Sequence, residues 1–180
     1  MDNVPAPWRA RLRASAVDLM VIWAWLGSLA GLSRVPAFRG SGYAKLFRHP
    51  STADLAQTAT GVLPAALYLA IGEAGAAHAT RGKRAAGLRV VGAAGCPASH
   101  AQIAVRTAVK LLPWQIAHLS INRAVGIVGG ERSKKWAVAG FSTALALVAS
   151  SAATAVFRSD HRALHDLVAA TRVVPVVPTK

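Results

Sequence analysis

Long apolar runs separated by short charged stretches set the pattern of this chain, and four of them reach the length of a membrane-crossing helix. The first runs from Ala14 to Leu32 with Asp18 as its only charge, and the second from Leu55 to Gly72 with Pro64 inside it and Glu73 just beyond. The fourth, Trp136 to Phe157, has no charge and opens on a Trp of the kind that sits at a bilayer interface. About 20 apolar residues cross a ~30 Å hydrocarbon core, so each of these three is long enough. The third, Ala101 to Asn122, contains Arg106 and Lys110, and its uncharged part, Leu111 to Asn122, is too short to cross alone. It either spans the bilayer or lies at its surface. The pattern predicts spans at about 14–33, 54–75, 103–122 and 136–157, a loop at 76–100 and a C-terminal segment at 158–180, within one domain over 1–180.

Between and after the spans, Leu88-Arg89-Val90-Val91 and Arg172-Val173-Val174-Pro175 are short β-branched stretches that predict a small sheet. Pro175 has no N–H to donate, which places its strand at an edge. The expected fold class is an all-α membrane protein: a four-helix transmembrane bundle with a small cytoplasmic β-hairpin or two-stranded cap.

Composition agrees with a lipid solvent. Hydrophobic residues make up 53% of the 180 and charged residues only 16%, too few for an ordinary soluble domain. The net charge of +14 is spread between the apolar runs and does not form a basic stripe. That distribution points to anionic lipid head groups as the partner and away from nucleic acid. The single Cys96 excludes a disulfide within the chain and a Cys-based zinc site. Arg9, Arg11 and Arg13 before the first run resemble the start of a signal peptide, but Asp18 would charge its core, so the first helix is expected to be retained.

Charges inside apolar segments are costly and therefore informative. With the N-terminus cytoplasmic, Asp18, Glu73, Arg106 and Lys110 fall at a similar depth in the inner third of the bilayer. Glu73 is expected to mark a helix end, while the short Asp18 side chain cannot reach the head groups and needs an internal partner. Gln102, Arg106, Lys110, Trp114, His118 and Asn122 recur every four residues along one slowly drifting stripe, which makes His118 a further candidate partner. Pro113 could open that helix's backbone, though a plain kink is the commoner outcome. Gly27 and Gly31 on the first helix and Ser142, Ala146, Ser150 and Thr154 on the fourth form small-residue faces suited to close packing, within the chain or in a homo-oligomer.

Enzymatic chemistry finds no support in the sequence. Gly82-Lys83 lacks the earlier glycine and the following Ser or Thr of a phosphate-binding loop, and no serine has the setting of an activated nucleophile. His161, His165 and Asp166 are read as polar residues and not as metal ligands. No catalytic residue, metal or cofactor is expected.

Three motifs in order resemble the RDD family of small integral membrane proteins along nearly the whole chain. Arg11 stands seven residues before Asp18, the spacing at which that family places its arginine and first aspartate. Thr80-Arg81-Gly82-Lys83 followed by Gly87-Leu88-Arg89-Val90 is similar to its Thr-x-Gly-Lys and Gly-Leu-x-Val segment. Leu164-His165-Asp166 and Ala169-Ala170-Thr171 resemble its closing Leu-His-Asp and Ala-x-Thr, with Asp166 as the second aspartate. The chain departs from the family at His78 and Ala79, where a glycine and a glutamine are usual. The resemblance implies a membrane protein for which a role in transport has been proposed.

Placing the three motifs on one side makes both termini cytoplasmic, and the Lys and Arg count, twelve inside against eight outside, leans the same way. Arg11 is then expected to hold Asp166 in a two-pronged pair, leaving Asp18 to Arg106 or Lys110. Two functions follow as expectations. One is a small transporter of ions or protons that uses Asp18 and its basic partners as an exchangeable charge site. The other is a non-catalytic membrane scaffold, locked by its ionic residues, whose cap recruits another protein. The sequence names no substrate.

Overall fold

The computed structural model describes residues 4–39, 41–46, 50–124 and 131–176. Helix α1 covers Trp8–Leu32, and the short helices α2 (Pro36–Arg39), α3 (Gly42–Leu46) and α4 (Pro50–Gln57) follow. A π-helical turn over Thr58–Val62 joins α4 to α5 (Leu63–Ala74). After these come α6 (Arg81–Ala85), β1 (Leu88–Gly92), α7 (His100–Ala124), α8 (Glu131–Phe157), α9 (Leu164–Val168) and β2 (Thr171–Pro175).

Three helical stretches are long and apolar enough to cross a membrane: Trp8–Leu32, Thr52–Ala74 and Ser133–Phe157. They match the predicted first, second and fourth spans to within one residue at the C-terminal ends and begin two to six residues earlier. Their large apolar side chains point outward, with Trp23, Ile71, Val138 and Leu145 each about two-thirds exposed, as expected where lipid and not protein covers the surface. The third segment is a continuous helix, α7, with Pro113 inside it. Its first turn is closed by a reciprocal cap: Ser99 N donates to Gln102 Oε1 (3.0 Å) and Gln102 N to Ser99 Oγ (3.2 Å).

The chain gathers into two compact units, one of Met1–Val21, Ala66–Lys110 and Val148–Lys180, the other of Ile22–Ala65 and Leu111–Leu147. The first holds the sheet. Strands β1 and β2 pair antiparallel from Leu88↔Pro175 to Gly92↔Thr171, as the two β-branched stretches predict. The β2 edge takes one further bond, from Ala6 N to Val173 O (3.0 Å), and Val90 N of β1 donates to His78 O (2.8 Å). Leu88, Val90 and Val173 from the sheet pack with Ala6, Ala14, Ala98 and Ile103 as the core of this unit.

In the second unit the π turn is held by side chains from three other elements. Trp25 Nε1 donates to Thr60 O (2.9 Å), Tyr43 OH to Thr60 Oγ1 (2.9 Å) and Gln115 Nε2 to Thr58 Oγ1 (2.9 Å). Asn122 Nδ2 donates to both Asp54 Oδ1 and Gln57 Oε1. The predicted small-residue faces stay largely open: Gly27 and Gly31 have nothing within 4 Å of where a Cβ would stand, Ser142 and Ala146 are exposed, and of the two members in the first unit Ser150 is exposed and Thr154 half-buried. The close helix contact in the second unit is elsewhere, where Gly140 faces Ser120.

Two tight turns frame the sheet. Gly87, at φ 64°, turns α6 into β1 in a conformation that costs an L side chain about 1–2 kcal/mol. Ala170, at φ 50°, makes the equivalent turn from α9 into β2 without a glycine. Ala170→Gly is therefore expected to raise stability in detergent by about 1 kcal/mol. A thermal unfolding curve unchanged or shifted downward would show that the turn carries no such strain.

Candidate functional site

Six charged residues of the first unit form a chain of alternating sign. At one end Arg11, on α1, donates through Nη2 to Asp166 Oδ2 and through Nη1 to His161 O. Asp166 then accepts on Oδ1 from Arg106 Nη1, and Arg106 Nε reaches Glu73 Oε2 at 2.8 Å. Glu73 Oε1 faces Lys83 Nζ, also at 2.8 Å, and Lys83 Nζ stands 3.9 Å from Asp18 Oδ2. The order runs Arg11, Asp166, Arg106, Glu73, Lys83, Asp18. Arg11 and Asp18 lie two turns apart on the same helix, so the chain begins and ends on α1.

Local structure places each member. Thr80 caps α6, its Oγ1 accepting from Lys83 N (3.3 Å), and the same hydroxyl donates to Asp18 Oδ2 (2.6 Å). Gly82 N donates to Asp18 Oδ1 (2.9 Å), and Tyr68 OH to the same oxygen (2.7 Å). A Cβ at Gly82 would overlap the Ala14 carbonyl oxygen, so only glycine lets α6 approach α1 this closely. Asp166 sits in the first turn of α9, where Oδ2 accepts from Ala163 N (3.1 Å) and Oδ1 from Thr171 Oγ1 (3.3 Å). Thr171 Oγ1 in turn accepts from Arg106 Nη1 (3.1 Å). Arg162 ties the same turn together by donating to Asp166 O and Thr171 O.

These groups are buried: Asp166 is fully inaccessible, Arg106 and Glu73 are 1% exposed and Asp18 2%. Five of the six carboxylate oxygens accept a hydrogen bond, and the sixth, Glu73 Oε1, meets Lys83 Nζ as an ion pair but has no hydrogen-bond partner. A buried carboxylate left without such partners would be very costly, and here none is.

The sequence expectations fare unevenly against this geometry. The Arg11–Asp166 pair is present but not two-pronged, because Nη2 meets Asp166 Oδ2 while Nη1 goes to His161 O. Asp18 does not pair with Arg106 or Lys110; it is held by Tyr68, Thr80, Gly82 and Lys83, because α6 folds back onto α1. Glu73 does more than mark a helix end, since it bridges Arg106 and Lys83. Arg106 is held instead by Glu73 and Asp166. Tyr68 was not anticipated, although it is the one polar side chain between Thr60 and Glu73. His118 is not part of this site: it lies in the second unit, where its Nε2 accepts from Trp114 Nε1 at 3.1 Å. Leu164 and Gly87 shape the turns and carry no charge.

His165 Nε2 stands 3.8 Å from Asp166 Oδ2, a contact that is ionic only when the imidazole is protonated. Burial pushes its imidazole well below the ordinary range, and the cations Arg106, Lys110, Arg11 and Lys83 add to the effect. On the exposed turn before α9, Arg158 donates twice to Asp160 and draws that carboxyl down to about 2.

A sequence model of the RDD family matches residues 5–170, a stretch that includes every member of the charge chain. No curated protein and no solved structure was found to match.

Proposed function

This chain belongs to the RDD family, and we propose that it is a non-catalytic, multi-pass protein of the cell membrane whose ion chain works as a structural clasp. The observation that carries this reading is the complete engagement of the three carboxylates. With each acid already held by at least one cation of the chain and the groups buried, no acid is left open to exchange a cation. The clasp ties α1, α5, α6, α7 and α9 into one unit beneath a cap that presents Arg81, Arg84 and Arg89 to solvent, a surface able to receive an acidic partner or anionic head groups.

In this reading α7 is a fourth crossing. Its costly Arg106 is turned onto Glu73 and Asp166 and away from lipid, which removes the main objection to a span there. Both termini are then cytoplasmic. In a Cys96→Ser background, thiols at Lys45, Arg84 and Val176 should react with a membrane-impermeant reagent only from outside, only from inside and only from inside. An outside signal at Val176 would put α7 at the surface and reduce the crossings to three.

A second reading, a small transporter of ions or protons, is favoured by one observation. Lys110 lies within electrostatic reach of Lys83, Glu73, Arg106 and Asp18, yet makes no ion pair or hydrogen bond among the described residues. Flux assays in liposomes separate the two. The clasp reading expects wild-type ion and proton flux equal to that of empty vesicles. Flux above that level, lost in Asp18→Asn, would replace it with the transport reading.

A further inference from the structure

Lys110 is the seventh charge in a site built for six. Three acids and three bases of the alternating chain cancel, so Lys110 leaves a surplus of one positive charge. No carboxylate among the described residues stands within ion-pair distance of it, although Glu73 Oε1 itself has no hydrogen-bond donor. Asp18 is spent on Tyr68, Thr80, Gly82 and Lys83, Glu73 on Arg106 and Lys83, and Asp166 on Arg11, Arg106, Thr171 and Ala163.

A second, independent observation lies one turn away. Thr107 is 5% exposed, and its Oγ1 is buried with no hydrogen-bond partner, not even a carbonyl of its own helix. Residues three apart share a helix face, so the orphan hydroxyl and the unpartnered ammonium stand together on α7. Both are donors. What the pair lacks is an acceptor carrying negative charge, because a cation set within an apolar helix is ordinarily paired.

We propose that Lys110 and Thr107 form the protein side of a binding site for a singly charged anion, which completes the charge balance of the clasp. Lys110 supplies the charge and Thr107 a directed hydrogen bond. Lys110 is only partly buried, so the anion can arrive from outside the unit. One negative charge is the requirement, and either a free aqueous anion or the phosphodiester of an anionic lipid meets it. Binding does not depend on transport, so the site stands or falls apart from the flux result.

The test uses the full chain, delipidated in an uncharged maltoside detergent, with thermal unfolding followed by tryptophan fluorescence. One arm titrates sodium chloride against sodium gluconate at constant ionic strength; the other mixes phosphatidylglycerol or phosphatidylcholine into the micelles. The expected result is a saturable rise in unfolding temperature with at least one of the two probes, chloride or phosphatidylglycerol. That rise should vanish in Lys110→Met and need about tenfold more probe in Thr107→Val, the loss of one hydrogen bond to a charged group. The exposed control Arg39→Ala should respond as wild type does. A response to chloride alone assigns a free anion, and a response to phosphatidylglycerol alone assigns a head group. No saturable rise with either probe, or an equal rise in Lys110→Met, overturns the site. Should Lys110→Met fail to fold, an unchanged half-saturation point in Thr107→Val overturns it as well.

Discussion

Asp166→Ala is expected to lower stability in detergent by about 3–5 kcal/mol, the cost of removing one partner from a buried ion pair. The carboxylate receives Arg11 and Arg106 together with Thr171 Oγ1 and Ala163 N, so its loss leaves the Arg11 guanidinium with only the His161 carbonyl. Arg106 keeps Glu73, which is why the loss should stay near that of a single broken pair. Arg11→Ala should cost less than Asp166→Ala, since Arg106 continues to neutralise Asp166. Arg11→Lys should restore only part of that smaller loss, because one ammonium cannot serve both the carboxylate and the His161 carbonyl as a guanidinium does. Arg39→Ala, on the exposed surface, should stay within about 0.5 kcal/mol of wild type. Equal unfolding midpoints for Asp166→Ala and Arg39→Ala would sink the clasp.

Six charges, five of them buried and Arg11 partly so, are not an obvious route to stability, because well-packed apolar residues often do as well or better. What the alternating chain adds is selectivity of arrangement. A shift of α6 along α1, or of α7 against α5, would place like charges together or strand one of them. On the proposed reading, the clasp therefore penalises wrong packings in lipid, where apolar side chains discriminate poorly between helix faces.

How much of this is legible in the sequence follows from what a one-dimensional pattern can encode. Runs of apolar residues locate α1, the α4-to-α5 stretch and α8, since length against bilayer thickness is a one-dimensional quantity. The β-branched stretches locate both strands and their pairing. Position along the helices hints that Asp18, Glu73 and Arg106 meet, as they do through Lys83, with Lys110 in electrostatic reach, but it says nothing of azimuth, and azimuth decides partners. The four-residue stripe on α7 illustrates the difference. Four residues advance a helix by about 400°, so each step drifts about 40°, and from Arg106 to His118 the drift is about 120°. His118 accordingly ends against Trp114 and not among the ions. The fold-back of α6, which gives Asp18 to Thr80 and Gly82, is a tertiary fact with only the Thr-x-Gly-Lys resemblance to hint at it. Even the departure at His78 has a structural counterpart: the position where the family usually has glycine lies at φ 46°, in the left-handed region.

Gly82→Ala should be nearly as damaging as the loss of Asp166, at about 3–5 kcal/mol, although it removes no charge. The new methyl carbon would fall on the Ala14 carbonyl oxygen and 2.8 Å from Asp18 Oδ1. The first obstacle is the backbone of α1, which cannot swing aside as a flexible side chain could, so α6 itself has to retreat. Overpacking of this kind costs about 1–3 kcal/mol. Retreat also withdraws Gly82 N and Thr80 Oγ1 from the Asp18 carboxylate, and hydrogen bonds to a charged group contribute roughly 1.5–3 kcal/mol each. Lys83 moves with them, loosening its contacts to Glu73 and Asp18 together. Gly27→Ala, on the same helix α1 but with open space at its Cβ, provides the contrast and should be neutral or stabilising by about 0.5–1 kcal/mol through helix propensity. If the two alanine variants unfold alike, α6 does not approach α1 closely enough to hold Asp18. In that case the carboxylate must find its partners elsewhere.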